Sequence, residues 1–247
     1  MIIDRIIERI KRKIEPNMCI TSRTTPVIYF GNYEEARACT ISLNPSDREF
    51  YDAGGKLLRP ARLYSREDFG KRDDEELTES DAIKVKEACD NYFNKEPYGN
   101  PYGKFFDPFD IFLNKFWKYS YYHGTCVHFD MVQWATTPPW GRIRQDDIKN
   151  KLLDSDLPVL GCLLGKKFEV IFLNGSKVVN TLSKCLNIKE SKQVMFKDVK
   201  GNNHVFTGHL GKYNEAVVKG WDLFYPYDVE DDHISRNNFW EAIKNMI

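Results

Sequence analysis

The chain has 247 residues, enough for one large domain or two small ones and for a sizeable buried core. Hydrophobic residues make up 42% and charged residues 29%, the balance of a globular protein rather than a disordered or fibrous one. Lys+Arg and Asp+Glu are equal at 36 each, so net charge neither announces a nucleic-acid protein nor excludes one, since a local basic face suffices.

Residues 1–16 place Ile3, Ile6, Ile7, Ile10 and Ile14 at helical spacing, and Pro16-Asn17 should end that helix. Pro26 to Phe30 reads as a strand and Gly31-Asn32 as a turn. Ala38 to Leu43 is a near-continuous apolar run, the kind buried in a parallel sheet. It ends in Asn44-Pro45-Ser46, where the proline pushes Asn44 into an extended conformation. Residues 46–105 read as an insertion-rich region. It holds a loop with Gly54-Gly55 and the basic residues Lys56, Arg59, Arg62 and Arg66, then a charged helical stretch from Asp73 to Asn94 and a turn at 97–103. Phe109, Phe112, Leu113 and Phe116 form a helical stripe.

Thr125 to Val132 reads as a second central strand, followed by an aromatic loop from Gln133 to Gly141. Asp146 to Gly165 is largely helical, with Pro158 expected to break or restart it. Phe168 to Leu173 is a third strand, and Ser176 is a candidate N-cap for a helix through Leu186. Val194–Val199 and Asn203–Thr207 pair around Lys200-Gly201-Asn202. Gly208 to Lys212 reads as a loop, with helices from Asn214 to Trp221 and from Asn237 to Met246. Strands alternating with helices indicate a single domain over 1–247, a three-layer α/β/α sandwich with a central, mostly parallel sheet.

The six cysteines have no metal-binding spacing, and several lie in apolar runs, as reduced thiols of a cytoplasmic protein do. No apolar run is long enough to cross a bilayer, and no signal peptide precedes the first helix. Neither a Gly-rich phosphate loop nor a carboxylate cluster for a metal is present, so no cofactor or metal is expected.

Three turns stand where three strands are expected to end: Asn44-Pro45-Ser46, the segment from Asp130, and Gly208-His209-Leu210-Gly211. In an open α/β sheet such exits converge on one edge, and an amide, a carboxylate and an imidazole together make a candidate active site.

These segments resemble the uracil-DNA glycosylase superfamily, and within it the single-strand-selective monofunctional branch. The branch's first motif, G-M-N-P-G, is matched by Ser42-Leu43-Asn44-Pro45-Ser46. Its second, H-P-S-P-R-N-P-x-x-N-K-G-W, is similar to His209 through Trp221, in register at His209, Asn214 and Lys219-Gly220-Trp221. Its V-H-N strand is similar to Val127-His128-Phe129-Asp130, with a one-residue shift placing Asp130 at the Asn. Ser42 and Ser46 replace the first motif's glycines, and only the His of H-P-S-P is kept. The resemblance covers residues 26–50 and 125–225 and implies a uracil-DNA-glycosylase-like fold.

It also implies roles. Asn44 would orient a water beside the sugar, for its side chain has no titratable proton with which to act as a strong base. His209 would donate to the base O2 as charge develops there. Asp130 falls where the family reads the Watson–Crick edge of a flipped base. A carboxylate accepts from the exocyclic amine of cytosine and repels the O4 of uracil, so the expected substrate is a modified cytosine. Capping the following loop is the alternative role for Asp130. Phe50 and Tyr51 either stack on the extruded base or pack in the core. Lys212 and Tyr213 lie where the family inserts a wedge into the duplex, and Ser46 and Asn214 are further DNA-contact candidates. His128 either supports the site or is a satisfied structural histidine. The Trp134–Trp140 loop either lines the pocket or closes the core.

The expected activity is therefore that of a monofunctional DNA glycosylase, a monomer that leaves an abasic site. No lysine stands at a turn suited to a Schiff-base step. Superfamily members of bacterial phage defence excise α-glucosyl-hydroxymethylcytosine from phage DNA, and a cytosine-reading Asp130 with sugar-sized insertions resembles that group. The rivals are a uracil-DNA glycosylase of base-excision repair, a catalytically inactive DNA-binding relative and an unrelated nucleotide hydrolase.

Overall fold

A computed structural model describes residues 2–94 and 101–246, which leaves most of the expected turn at 97–103 outside the described residues. The chain is of the α/β class, with a six-stranded sheet. Two compact units can be delineated: Met1–Tyr33, Asn44–Tyr102 and Phe129–Lys166 form the first, and Glu34–Leu43, Gly103–His128 and Lys167–Ile247 the second.

In the first unit, α1 (Ile2–Lys11) buries Ile6, Ile7 and Ile10 and packs on α2 (Glu79–Asp90) and α4 (Asp146–Leu163). The expected helix to Ile14 stops at Lys11, whose carbonyl accepts from Leu77, while the Ile14 amide donates to Asp73. Thr78 and Asp81 form a reciprocal capping box that starts α2. Pro158 does not break α4. It is exposed, as is Asp154, so the carbonyl deprived of its helical donor faces water. Pro26–Phe30 is buried but is not a strand: the Val27 amide donates to Gln133 and the Thr21 amide to Ala135, pairing with a loop instead of a ladder. Beneath that loop lies an ion pair in which both side chains are nearly fully buried. Asp156 Oδ1 accepts from Arg9 Nε and Nη2 at 3.2 and 2.7 Å, and its Oδ2 accepts from the Gln133 amide at 2.7 Å. The Arg9 guanidinium also lies 5.0 Å from the Trp134 ring centroid.

The sheet runs in the order β2-β1-β3-β6-β5-β4. Its strands are β1 (Ala38–Ser42), β2 (Cys126–Asp130), β3 (Val170–Asn174), β4 (Ile188–Lys197), β5 (Asn203–Tyr213) and β6 (Ala216–Trp221). β2 was expected to be central and is terminal. In the second unit β1, β3 and β6 run parallel, and β5 and β4 continue as antiparallel neighbours. The helix expected over Asn214–Trp221 is β6, and the loop expected at Gly208–Lys212 is part of β5. A two-residue turn explains both corrections. Asn214 takes φ 53°, which closes a tight hairpin that sets Tyr213 against Ala216. β4 is the outer strand beyond β5; most of its residues are exposed, Lys189, Lys192 and Lys197 among them, and Met195 faces solvent with its partner Val205.

α5 (Ser176–Leu182) covers β3 and β6, with Gly175 rather than Ser176 at its N-cap. α3 (Gly103–Trp117) and α6 (His233–Lys244) carry the aromatic core of this unit. Trp240 meets Phe109, Phe112, Trp117, Phe172, Trp221 and Tyr225 at centroid distances of 5.2–6.3 Å. The Lys-Gly-Trp run thus has a structural reason. Trp221 is core, and Lys219 Nζ donates to the carbonyls of Ile243, Lys244 and Met246 at the C-terminal end of α6. Lys219→Met should lower the unfolding free energy by about 2 kcal/mol in urea titrations, because it strands three acceptors. An unchanged midpoint would mean that water serves those carbonyls equally well.

Candidate active site

Two residues beyond β1, the Asn44 side chain is held by its nitrogen. Nδ2 donates to the Pro45 carbonyl at 3.0 Å, to Thr136 Oγ1 at 3.2 Å and to the Trp134 carbonyl at 3.4 Å. Three acceptors fix which end of the amide is which. Oδ1 is the atom left to accept from a water, and Asn44 is only half-buried. Ser46 Oγ accepts from the Arg48 amide and caps the short helix Asp47–Glu49, so its hydroxyl serves local structure.

Asp130, the last residue of β2, lies in the same unit and is 3% exposed. So does Glu49, which is also 3% exposed. Burial pushes the Glu49 carboxyl up to about 7; the Tyr92 hydroxyl and the Arg62 charge oppose that, and the Asp130 charge adds to it. Tyr92 donates its hydroxyl hydrogen to Glu49 Oε2 and accepts from the Tyr102 amide at 2.9 Å. A buried carboxyl that titrates near neutrality beside a second one is the combination that acid–base and hydrogen-bond-reading sites use. Glu49 was not anticipated. Its position one residue before Phe50 was the available signal.

Phe50 is 2% exposed and packs inside the unit, and the Tyr51 hydroxyl is spent on the Ser22 carbonyl. The basic loop is largely structural: Arg66 is fully buried against the carbonyls of Arg12 and Glu75, and Arg59 pairs with Asp68. The Trp134 ring closes the core beneath Arg9.

The remaining expected residues lie in the second unit. His209 is mid-strand in β5, not in a loop at a strand exit. Its Nδ1 lies 2.8 Å from Ser191 Oγ on β4, and burial lowers its pKa while Asp222 opposes the shift. It pairs with Gly220, where the missing side chain leaves room for it; a Cβ there would come 3.6 Å from the His209 Cβ. Lys212, Tyr213 and Asn214 form the tip of the β5–β6 hairpin. They stand by Ala216, where β6 starts, and parallel β1 and β6 end at the opposite edge. The expected DNA wedge is thus at the wrong edge for β1, because the tight turn puts it at the start of β6. His128 is a satisfied structural histidine: Nδ1 lies 2.6 Å from Thr40 Oγ1, which also bonds the Tyr121 hydroxyl.

At the edge where β1, β3 and β6 end, buried Asn174 ties three segments together. Its Nδ2 donates to Ser42 Oγ and the Tyr225 carbonyl, and its Oδ1 accepts from Trp221 Nε1 and the Tyr225 amide. The loop it anchors borders an open cleft of about 800 Å³ at the start of α3. Asp107, Asp228, Glu230 and Asp231 outnumber Lys104 and Arg236 there, which disfavours a phosphate backbone.

Among the described residues, no cluster of three His, Cys, Asp or Glu is placed to hold a metal ion, and no helix is long and apolar enough to cross a membrane. No model of a known protein family matches the chain, and no curated protein or solved structure matches it.

Proposed function

We propose that the chain is a monofunctional DNA glycosylase acting on a modified cytosine, a reading that joins the family resemblance to one observation: the Asn44 amide, pinned by three acceptors through its nitrogen, offers Oδ1 to a water. Cleavage of an N-glycosidic bond passes through a cation-like sugar. The protein's task is to hold water on the open face of that sugar and to bind the departing base. Asn44 orients the water, which bonds to C1′ as the C1′–N bond breaks. The electron pair of that bond leaves with the base, and the water gives up a proton. Asp130 accepts from the exocyclic amine and selects cytosine-type bases over uracil. The reading rests on Asn44 and Asp130. It gives no role to His209, whose ring bonds Ser191 within a strand, or to Lys212, Tyr213 and Asn214. Anti-phage defence, with glucosylated hydroxymethylcytosine in phage DNA as the substrate, is the biological setting this chemistry suits.

The experiment is incubation with DNAs carrying uracil, cytosine, hydroxymethylcytosine and its glucosylated forms, with mass analysis of released bases. Release of uracil alone would replace this reading with base-excision repair. Release of nothing would leave a DNA-binding relative. Asp130→Asn should move selectivity toward uracil by about 10- to 100-fold, the worth of one good base-edge contact. An unaltered preference would remove Asp130 from base reading.

A further inference from the structure

We propose that Glu49 is a second base-reading residue of this site, its protonated carboxyl donating a hydrogen bond to ring N3 of a cytosine-type base whose exocyclic amine Asp130 holds. This inference rests on the glycosylase reading above. Glu49 and Asp130 belong to the same unit, are each 3% exposed and interact electrostatically. Two buried carboxyls that feel one another do not both ionise cheaply, so one of them keeps a proton.

The hydrogen bonds say where the proton sits. Tyr92 accepts from the Tyr102 amide, so its own hydroxyl hydrogen goes to Glu49 Oε2, which must then be an acceptor. The carboxyl proton of Glu49 is therefore on Oε1, and Oε1–H is a donor. Tyr92, Arg62 and Asp130 are the titratable and charged groups that act on Glu49 from the segments around it. Its own short helix adds Asp47 and Arg48, whose guanidinium is turned away to the Asp52 carbonyl. Of the three that act on it, Asp130 favours the protonated acid, and Arg62 and the Tyr92 bond oppose it less than burial promotes it.

A neutral acid beside a carboxylate is one donor and one acceptor. Cytosine offers the complement, an amine hydrogen at N4 and a lone pair at N3. Uracil offers the reverse, a lone pair at O4 and a hydrogen at N3, and meets a like group at both positions. Substituents at C5, glucosylated or not, leave N3 and N4 unchanged. The pair would therefore read the cytosine edge and tolerate modification of the ring carbon beside it.

The test is the pH dependence of base release from DNA carrying hydroxymethylcytosine or its glucosylated form, for the wild type and Glu49→Gln. Release by the wild type should fall as pH rises through about 7, where Oε1 loses its proton. The side-chain amide of the Glu49→Gln variant keeps an N–H donor at every pH, so its profile should be level from about pH 6 to 9. A level wild-type profile, or a Glu49→Gln variant that falls like the wild type, would overturn the role of Glu49 and leave the glycosylase reading intact. No release from either DNA by the wild type would overturn both. A readout independent of activity checks the proton itself. The folded-state pKa lies above that of an exposed glutamate, so the wild type should lose thermal stability relative to Glu49→Gln between about pH 5 and 8. Parallel melting temperatures over that range would place the proton elsewhere and overturn the inference.

Discussion

Asp156→Ala is expected to lower the unfolding free energy by about 3–5 kcal/mol, the usual cost of removing one partner of a buried ion pair. Both side chains are withdrawn from water, and Asp156 uses both oxygens, one for the Arg9 fork and one for the Gln133 amide. Its removal leaves the Arg9 guanidinium charged with no counterion, and burial already lowers the Arg9 pKa. It also releases the loop whose Trp134 carbonyl meets Asn44. Urea titration of the variant and of the double change Arg9→Met with Asp156→Leu separates the causes. The double variant should recover much of the loss, because an apolar pair of similar volume is often as stable as a buried ion pair. A single-variant loss under about 1 kcal/mol would mean that water reaches Arg9 freely.

Asn44→Ala is expected to cut base release by about 100-fold or more in single-turnover assays, the scale seen when a positioned catalytic hydrogen bond is removed. The stability cost should be smaller than that of Asp156→Ala, since Asn44 is half-buried and its three acceptors include two backbone carbonyls. Asn44→Asp is the sharper control. An aspartate keeps an oxygen for water but cannot donate to the carbonyls of Pro45 and Trp134, so its carboxylate should swing away from them. If the aspartate variant retained full activity, the amide nitrogen would have no positioning role. If the alanine variant did, the water would be held by another group.

What the sequence made legible followed periodicity. The isoleucine stripe of α1 and the apolar runs of β1 and β3 stand where the spacing puts them. The phenylalanine stripe of α3 does so too. Partners remote in sequence decided the remainder. Pro26–Phe30 has strand composition, but its neighbours are a loop, and no local rule reveals that. Ala216–Trp221 was read through a motif match that made Lys219 and Trp221 look functional. Their conformation is set by β3 and β5 on either side, and their burial by α6. Asn44 could be picked out because proline fixes a neighbour's backbone. Glu49 could not, because a carboxylate in a charged loop looks solvated until its neighbours are known. Asp130 was legible as a residue but not as half of a pair.

The outer strand of the sheet carries a consequence for how copies of this chain meet. β4 ends the ladder, so its far side offers a row of backbone donors and acceptors to any extended segment, and the exposed Met195–Val205 pair lies near that margin. Lys189, Lys192 and Lys197 put like charges along the same strand. Two such edges approaching each other would bring lysine against lysine before a ladder could form, so intermolecular β-pairing should be suppressed at low ionic strength and less so as salt screens the charges.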